Sequence, residues 1–110
     1  MVSANKITLD IATDLAAGDN DLLLFSTDGV ILTAIVTISG LVGVLGAIDL
    51  TESYDGLTFY EISGAQIAVP ANGSEKVNTL NGCGLVFGGI RIDKGAATAG
   101  TIVIEANSKQ

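Results

Sequence analysis

The sequence predicts an all-β fold, a β-sandwich or jelly-roll-like domain of eight to nine short antiparallel strands. Three observations carry that expectation. Apolar and polar residues alternate with a period of two in several separate stretches, as in strands with one buried face. Clusters of Gly, Asp, Asn and Ser separate those stretches, and these are the residues that tight turns select. No segment keeps helical periodicity for three turns. Short strands punctuated by glycine turns are what sandwiches and jelly rolls are made from.

Residues 6–13 alternate cleanly, with Ile7, Leu9 and Ile11 on one face and Thr8 and Asp10 on the other, which predicts a half-buried strand. A loop over 14–20 follows, with Gly18, Asp19 and Asn20 as its turn. Residues 21–26 hold the run Leu22-Leu23-Leu24-Phe25, which suits a central strand covered on both faces. Thr27-Asp28-Gly29 makes the next turn, and 30–39 is a strand with Val30, Leu32, Ala34, Val36 and Ile38 opposing Ile31, Thr33, Ile35 and Thr37. Gly40 is expected to turn the chain and 41–45 to continue as strand, with Gly43 as a bulge or close-packing point.

Residues 47–62 hold the strongest local signal. Ile48 and Leu50 alternate with Asp49 and Thr51, Tyr54-Asp55-Gly56 interrupts, and Thr58, Tyr60 and Ile62 resume the period. Alternation on both sides of Asp-Gly predicts a hairpin with arms at 47–53 and 57–62, because Gly takes the positive φ that such turns need. Ser63-Gly64 separates it from a strand at 66–69, and Pro70 then stops pairing for want of an N–H. Ala71-Asn72-Gly73 is a turn, 76–80 a short strand, and Asn81-Gly82-Cys83-Gly84 a bend. Residues 85–93 carry Ile90 and Ile92 alternating with Arg91 and Asp93, 94–100 is a loop of small residues, and 101–106 is the last strand. The chain is expected to be one domain, 1–110, with 1–5 and 107–110 flexible or arm-like.

A chain of 110 residues is long enough for one core. Only 15% of its residues are charged and 48% are hydrophobic, whereas about 25% charged is typical. A small domain has much surface to cover, so this composition predicts apolar surface that is either exposed or buried by another chain. It argues for stable assembly. Five Lys and Arg against twelve Asp and Glu give a net charge of −7; without a basic cluster, such a surface is repelled by phosphate backbones, so no nucleic acid is expected as a partner. Residues 30–50 approach the length of a membrane span. They are rich in β-branched residues, interrupted by Ser39, Gly40, Gly43 and Gly46, and flanked by Asp28 and Asp49 with no Lys or Arg anchor. Two buried strands explain them better, and no membrane association is expected. The N-terminus lacks the basic flank and apolar run of a secretory signal.

Catalysis is not expected. General acid–base chemistry needs a group that titrates near neutrality, and the chain has no His. The single Cys83, in Gly82-Cys83-Gly84, has no partner for an internal disulfide or a paired metal spacing. The acids are scattered among turns rather than paired as glycoside hydrolysis requires. No phosphate-cradling G-x-x-x-x-G-K-[ST] is present, and no cofactor is expected. The calcium candidate is Asp14 with Asp19, Asn20 and Asp21, since hard cations take several oxygen ligands from a flexible loop. These residues depart from the D-x-D-x-D-G pattern, and Asp and Asn equally close turns. Of the aromatics, Phe25 and Phe87 lie in apolar runs and are expected in the core. Tyr54, in the hairpin turn beside Asp55, is the candidate contact for a ligand or neighbour; its other role would be to cover the end of the sandwich.

Ser53-Tyr54-Asp55-Gly56 followed by Phe59, the alternating Gly89-Ile90-Arg91-Ile92, the loop Ala96-Ala97-Thr98-Ala99-Gly100 and the strand Thr101-Ile102-Val103-Ile104 resemble segments of small β-sandwich virion proteins of tailed bacteriophages. Leu15-Ala16-Ala17-Gly18-Asp19 is similar to a loop that such proteins place before their second strand. The aromatic after the Gly is usually Trp in that group, and Phe59 replaces it here. The resemblance implies a non-enzymatic structural protein of the capsid decoration or cement type, on the capsid surface. Such a protein would oligomerise, a trimer being expected, and clamp subunits of the major capsid protein. The alternative is a tail or fibre module, or a carbohydrate-binding sandwich. No catalytic residues come with the resemblance.

Overall fold

A computed structural model describes residues 2–26, 31–70, 72–80 and 87–109. Along the chain these form β1 (Val2–Asp10), α1 (Ile11–Asp14), β2 (Asp19–Ser26), β3 (Ile31–Val42), β4 (Ile48–Ser53), β5 (Tyr60–Ile67), β6 (Gly73–Leu80), β7 (Phe87–Asp93) and β8 (Ala99–Lys109). The strands make two four-stranded antiparallel sheets, ordered β1-β8-β3-β6 and β2-β7-β4-β5. The pairing is nested: β1 with β8, β2 with β7, β3 with β6 and β4 with β5. One long hairpin has in effect been rolled up, and the β3–β8 and β4–β7 ladders close the roll. This is the eight-stranded jelly roll.

Alternation explains the core. On the first sheet Ile7, Ile104 and Val36 lie side by side across β1, β8 and β3, and Leu9, Ile102 and Ile38 form the next row. The second sheet answers with Leu22, Ile90 and Leu50, then Ile92, Ile48 and Ile67. Ile38, Ile48, Leu50, Ile90, Ile92, Ile102 and Ile104 are almost wholly removed from water. Burying a side chain of that size contributes about 1.5–3 kcal/mol.

Several sequence expectations change. Ile11 is not in a strand; it is the buried first residue of α1, where Asp10 caps the turn by accepting the Ala12 N–H at 3.0 Å and Asp14 accepts the Asp10 N–H at 2.7 Å. The run at 22–25 is not a central strand covered on both faces: β2 is an edge, and Leu23 is 45% exposed while Leu24 is buried. Gly40 does not turn the chain. With φ of +64° it sits where the β3–β8 register slips between Ser39 and Val42, so β3 continues through a bulge. The expected strand at 41–45 gives way after Val42 to an irregular crossover into the second sheet. Ser63-Gly64 likewise interrupts nothing. Between Asp49↔Gln66 and Thr51↔Glu61, Leu50 of β4 stands against four residues of β5, a wide bulge that Gly64 permits at φ +78°. β5 is therefore one strand, which leaves eight among the described residues.

β6 begins at Gly73, ahead of the expected 76. Residues 2–5 pair with 106–109, and β3 flanks the latter on its other side. The turn at Thr27-Asp28-Gly29, the bend with Cys83 and the side chain of Phe25 lie outside the described residues. Phe87 is half-buried rather than in the core.

Candidate functional site

The β4–β5 hairpin is present, but its loop is six residues long, 54–59, and is built by side chains rather than by a two-residue Asp-Gly turn. Ser53, fully buried at the end of β4, accepts N–H bonds from Gly56 at 2.9 Å and Asp55 at 3.3 Å. Its hydroxyl donates to the Asp55 carboxylate at 3.1 Å. Asp55 Oδ1 in turn accepts the N–H groups of Leu57 at 2.8 Å and Thr58 at 2.9 Å. The Thr58 N–H, followed by that of Leu57, holds this carboxyl below its ordinary range. Gly56 supplies the positive φ, +75°, that lets the chain double back. The Ser-x-Asp-Gly motif is thus a self-bonded scaffold. Beside the exposed Asp55 and Thr58 it presents large apolar side chains to solvent: Tyr54 is 71% exposed and Leu57 84%, and Tyr60, at the start of β5, is 55% exposed.

Phe59 turns the other way. It is buried on the face of the second sheet opposite the core, its ring packed over Gly89 beside Thr51. Thr51 is fully buried there, and its Oγ1 has no hydrogen-bond partner among the described residues. An orphaned buried hydroxyl carries a desolvation cost of about 1–3 kcal/mol. Thr51→Val, which replaces it by a methyl that suits a strand, is expected to raise stability by about 1 kcal/mol, read as a higher urea midpoint at unchanged slope.

Arg91 gathers this face. Its Nε donates to Asp21 Oδ1 at 2.7 Å and Nη2 to Asp21 Oδ2 at 3.3 Å, while Nη1 reaches Glu61 at 3.4 Å. Nη2 also donates to the Phe59 carbonyl at 3.0 Å. One guanidinium thereby ties β2, β7 and the start of β5 to the loop. Asp49 lies directly across from Arg91 on β4. Its carboxyl is nonetheless pushed up, first by burial and then by Glu61 and Asp19, against the pull of Arg91. A carboxyl raised in the folded state favours folding fully below its unfolded value, near pH 3.8, and loses that contribution as pH rises through the folded value. Asp49→Asn is therefore expected to be more stable than the parent at pH 7, with the advantage vanishing as the pH is lowered below 4. Parallel urea titrations across that range test it.

The calcium candidates are placed apart. Asp14 is engaged with the Asp10 N–H, and Asp21 with Arg91. Asn20 binds its own loop, accepting the Ala16 N–H and donating to the carbonyls of Ala16 and Gly18, and also donates to the Ile92 carbonyl of β7. Asp19 is exposed at the start of β2, opposite Asp93. Among the described residues no three His, Cys, Asp or Glu side chains gather where they could hold a metal ion. No described helix is long and apolar enough to cross a membrane.

Solved structures similar to this chain include the following two. One belongs to the Bacillus endospore appendages, described as a novel family of disulfide-linked pili: TM-score 0.44 at 14% identity, covering 98% of this chain and 88% of that chain. The other is the SPBc2 prophage-derived protein YomS: TM-score 0.44 at 12% identity, covering 97% of this chain and 96% of that chain. No protein-family model and no curated protein matches the chain.

Tyr54 and Asp55, named from the sequence as the candidate contact, both lie at the tip, where Asp55 accepts the turn's own N–H groups. Sequence reasoning missed Leu57 and Tyr60 as Tyr54's exposed companions, and Arg91 as the anchor of the loop. The signal for Arg91 was there: an arginine in the middle of an apolar alternating strand needs carboxylates on its neighbours.

Proposed function

We propose that this chain is a non-enzymatic structural protein of a virion, a capsid decoration or cement subunit that associates with copies of itself and clamps subunits of the major capsid protein. The observation that carries this reading is the 54–59 tip. Ser53 and Asp55 are bound within the turn itself, and the large apolar side chains exposed there are Tyr54 and Leu57, with Tyr60 following at the start of β5. A rigid tyrosine-rich projection is suited to packing against protein, because such side chains bring large contact area at small entropic cost. The low charge content supports the same view, as does the absence of His from the sequence. The action would be adhesive, with many modest contacts adding to one stable shell.

Immunogold electron microscopy of particles from the producing cells, with antibody against this chain, tests the location. Label over the shell supports decoration, label on the tail favours the tail or fibre alternative, and unlabelled particles overturn the virion reading. The two exposed tyrosines also suit a carbohydrate-binding module. Binding on a glycan array that is lost in Tyr54→Ala would favour that reading instead.

A further inference from the structure

Among the described residues an acid or amide side chain stands directly before Gly at Asp55-Gly56 and at Asn72-Gly73. Such dipeptides are where a chain most readily attacks itself, because Gly puts no Cβ beside the nitrogen that must reach the side-chain carbonyl carbon. The fold treats the two in opposite ways. At the tip the nucleophile is held, since the Gly56 N–H donates to Ser53 Oγ at 2.9 Å. The Asp55 carboxylate accepts the N–H groups of Thr58 and Leu57 and the Ser53 hydroxyl, which keep its carboxyl below the ordinary range. It therefore stays ionised, and an ionised carboxylate is a poor electrophile.

Asn72 is the contrary case. It is exposed just ahead of β6, and its amide is uncharged. β3 runs on past the first residue of β6, and the Leu41 N–H donates to Asn72 Oδ1 at 3.3 Å. That donor stands where negative charge gathers when a nucleophile adds to Cγ, the arrangement that stabilises an oxyanion. Gly73 has a φ of +135°, and apart from its chain neighbours nothing lies within 4 Å of the place a Cβ would take, so its surroundings are open. It opposes Ile38 in the end pair of the β3–β6 ladder, and an end pair opens at less cost than those behind it. Asn5 and Asn20 differ: Asn5 precedes Lys6 and donates to the Leu24 carbonyl, and Asn20 precedes Asp21 and is held by Ala16, Gly18 and Ile92.

We propose that Asn72 is a site of self-modification, at which the Gly73 nitrogen cyclises onto the Asn72 side chain and water converts the ring to aspartate or isoaspartate. The nitrogen bonds to Cγ and gives up its proton, the Cγ–Nδ2 bond breaks, and Nδ2 takes a proton and leaves as ammonia. Water then adds to a carbonyl of the succinimide. Opening at Cγ gives aspartate, and opening at the backbone carbonyl gives isoaspartate. Nothing is oxidised or reduced, and water is the only reagent consumed. Either product adds one negative charge to a chain that already carries −7. Isoaspartate also routes the backbone through Cγ and lengthens it by one carbon ahead of β6. Behind that point the Thr37 and Ser74 hydroxyls bond at 2.7 Å and the ladder continues to Ile31↔Leu80, so β6 stays paired. The product is a folded subunit that carries a record of its age, independent of the adhesive role proposed above.

Peptide mapping by mass spectrometry, with fragmentation that separates aspartate from isoaspartate, tests this on protein held in mildly alkaline buffer, both folded and in urea. Position 72 is expected to convert at similar rates in the two states, with release of ammonia, whereas position 55 isomerises in urea alone. The map also keeps position 72 apart from Asn81, which precedes Gly82 outside the described residues. Asn72→Gln, whose longer side chain would have to close a larger ring, is expected to lose conversion at 72 while melting as the parent does. A folded protein that keeps its amide at 72, or that protects 72 as strongly as 55, overturns the proposal. Conversion to aspartate without isoaspartate also overturns it, because that outcome means direct hydrolysis of the amide and no ring.

Discussion

Gly89→Ala is expected to lower stability by about 3 kcal/mol and the melting temperature by about 10–15 °C. Gly89 has no positive φ to defend; its constraint is space alone. A Cβ there would stand 2.6 Å from the Leu22 carbonyl oxygen and 2.8 Å from both the Phe59 ring and Thr51 Oγ1. The carbonyl is the decisive neighbour, because it belongs to the adjacent strand and is fixed by the Leu22↔Ile90 and Leu23↔Gly89 pairing. Relief means separating β2 from β7 or lifting Phe59 off the sheet. Adding Phe59→Ala to Gly89→Ala should therefore show favourable coupling yet leave part of the loss, since the ring is removed but the carbonyl is not. Gly18→Ala is the control: its φ of +83° is strained for Ala but nothing lies within 4 Å of the added Cβ, so it should lose only about 1–2 kcal/mol. Equal losses at Gly18 and Gly89 in urea denaturation would refute the packing account.

The same residue shows what could and could not be read from the chain. Alternation at 30–39, 47–53 and 101–106 was enough to place inward and outward faces, because strand periodicity is local and burial follows it. The all-β class followed. Bulges were not legible: a Gly at 40 or 64 looks identical in sequence whether it ends a strand or lets one more residue into it, and only the partner's register decides. α1 was hidden for a related reason. Ile11 keeps the strand period, and the chain leaves the first sheet there because Asp10 caps a turn. Edge position was equally silent for β2, since Leu22-Leu23-Leu24 carries no mark of which neighbour is missing. At the candidate site, Tyr54 and Asp55 were visible because a turn motif is contiguous. The clasp of Arg91 on Asp21, Glu61 and the Phe59 carbonyl joins residues 30 to 70 positions apart. Gly89 falls inside the strand expected at 85–93, and nothing in that stretch signals that it seats Phe59.

Ile104→Ala is expected to lose about 4 kcal/mol, toward the upper part of the range for emptying a buried aliphatic site. Ile104 is wholly buried at the centre of the first sheet, with Ile7 on one side and Val36 on the other. Neighbours fixed in two ladders cannot collapse into the space it leaves. Ile104→Val, which removes one methylene, should lose only about 0.5–1.5 kcal/mol. Ile7→Ala should fall between them, because Ile7 is only partly buried on the edge strand β1. Against a total of about 5–15 kcal/mol for a domain of this kind, Ile104→Ala removes a large share, and its melting temperature should fall accordingly. Tip substitutions belong to a different axis. Tyr54 and Leu57 contribute little to folding where they stand, so Tyr54→Ser with Leu57→Ser should change stability by no more than about 0.5 kcal/mol at each position while weakening the self-association proposed for the tip. Ile104→Ala, held well below its melting temperature, should assemble as the parent does. Measuring melting temperature and sedimentation on the same set of variants keeps the two axes apart. A tip variant that melts as low as Ile104→Ala would mean that the tip is part of the core's support and not a free docking surface.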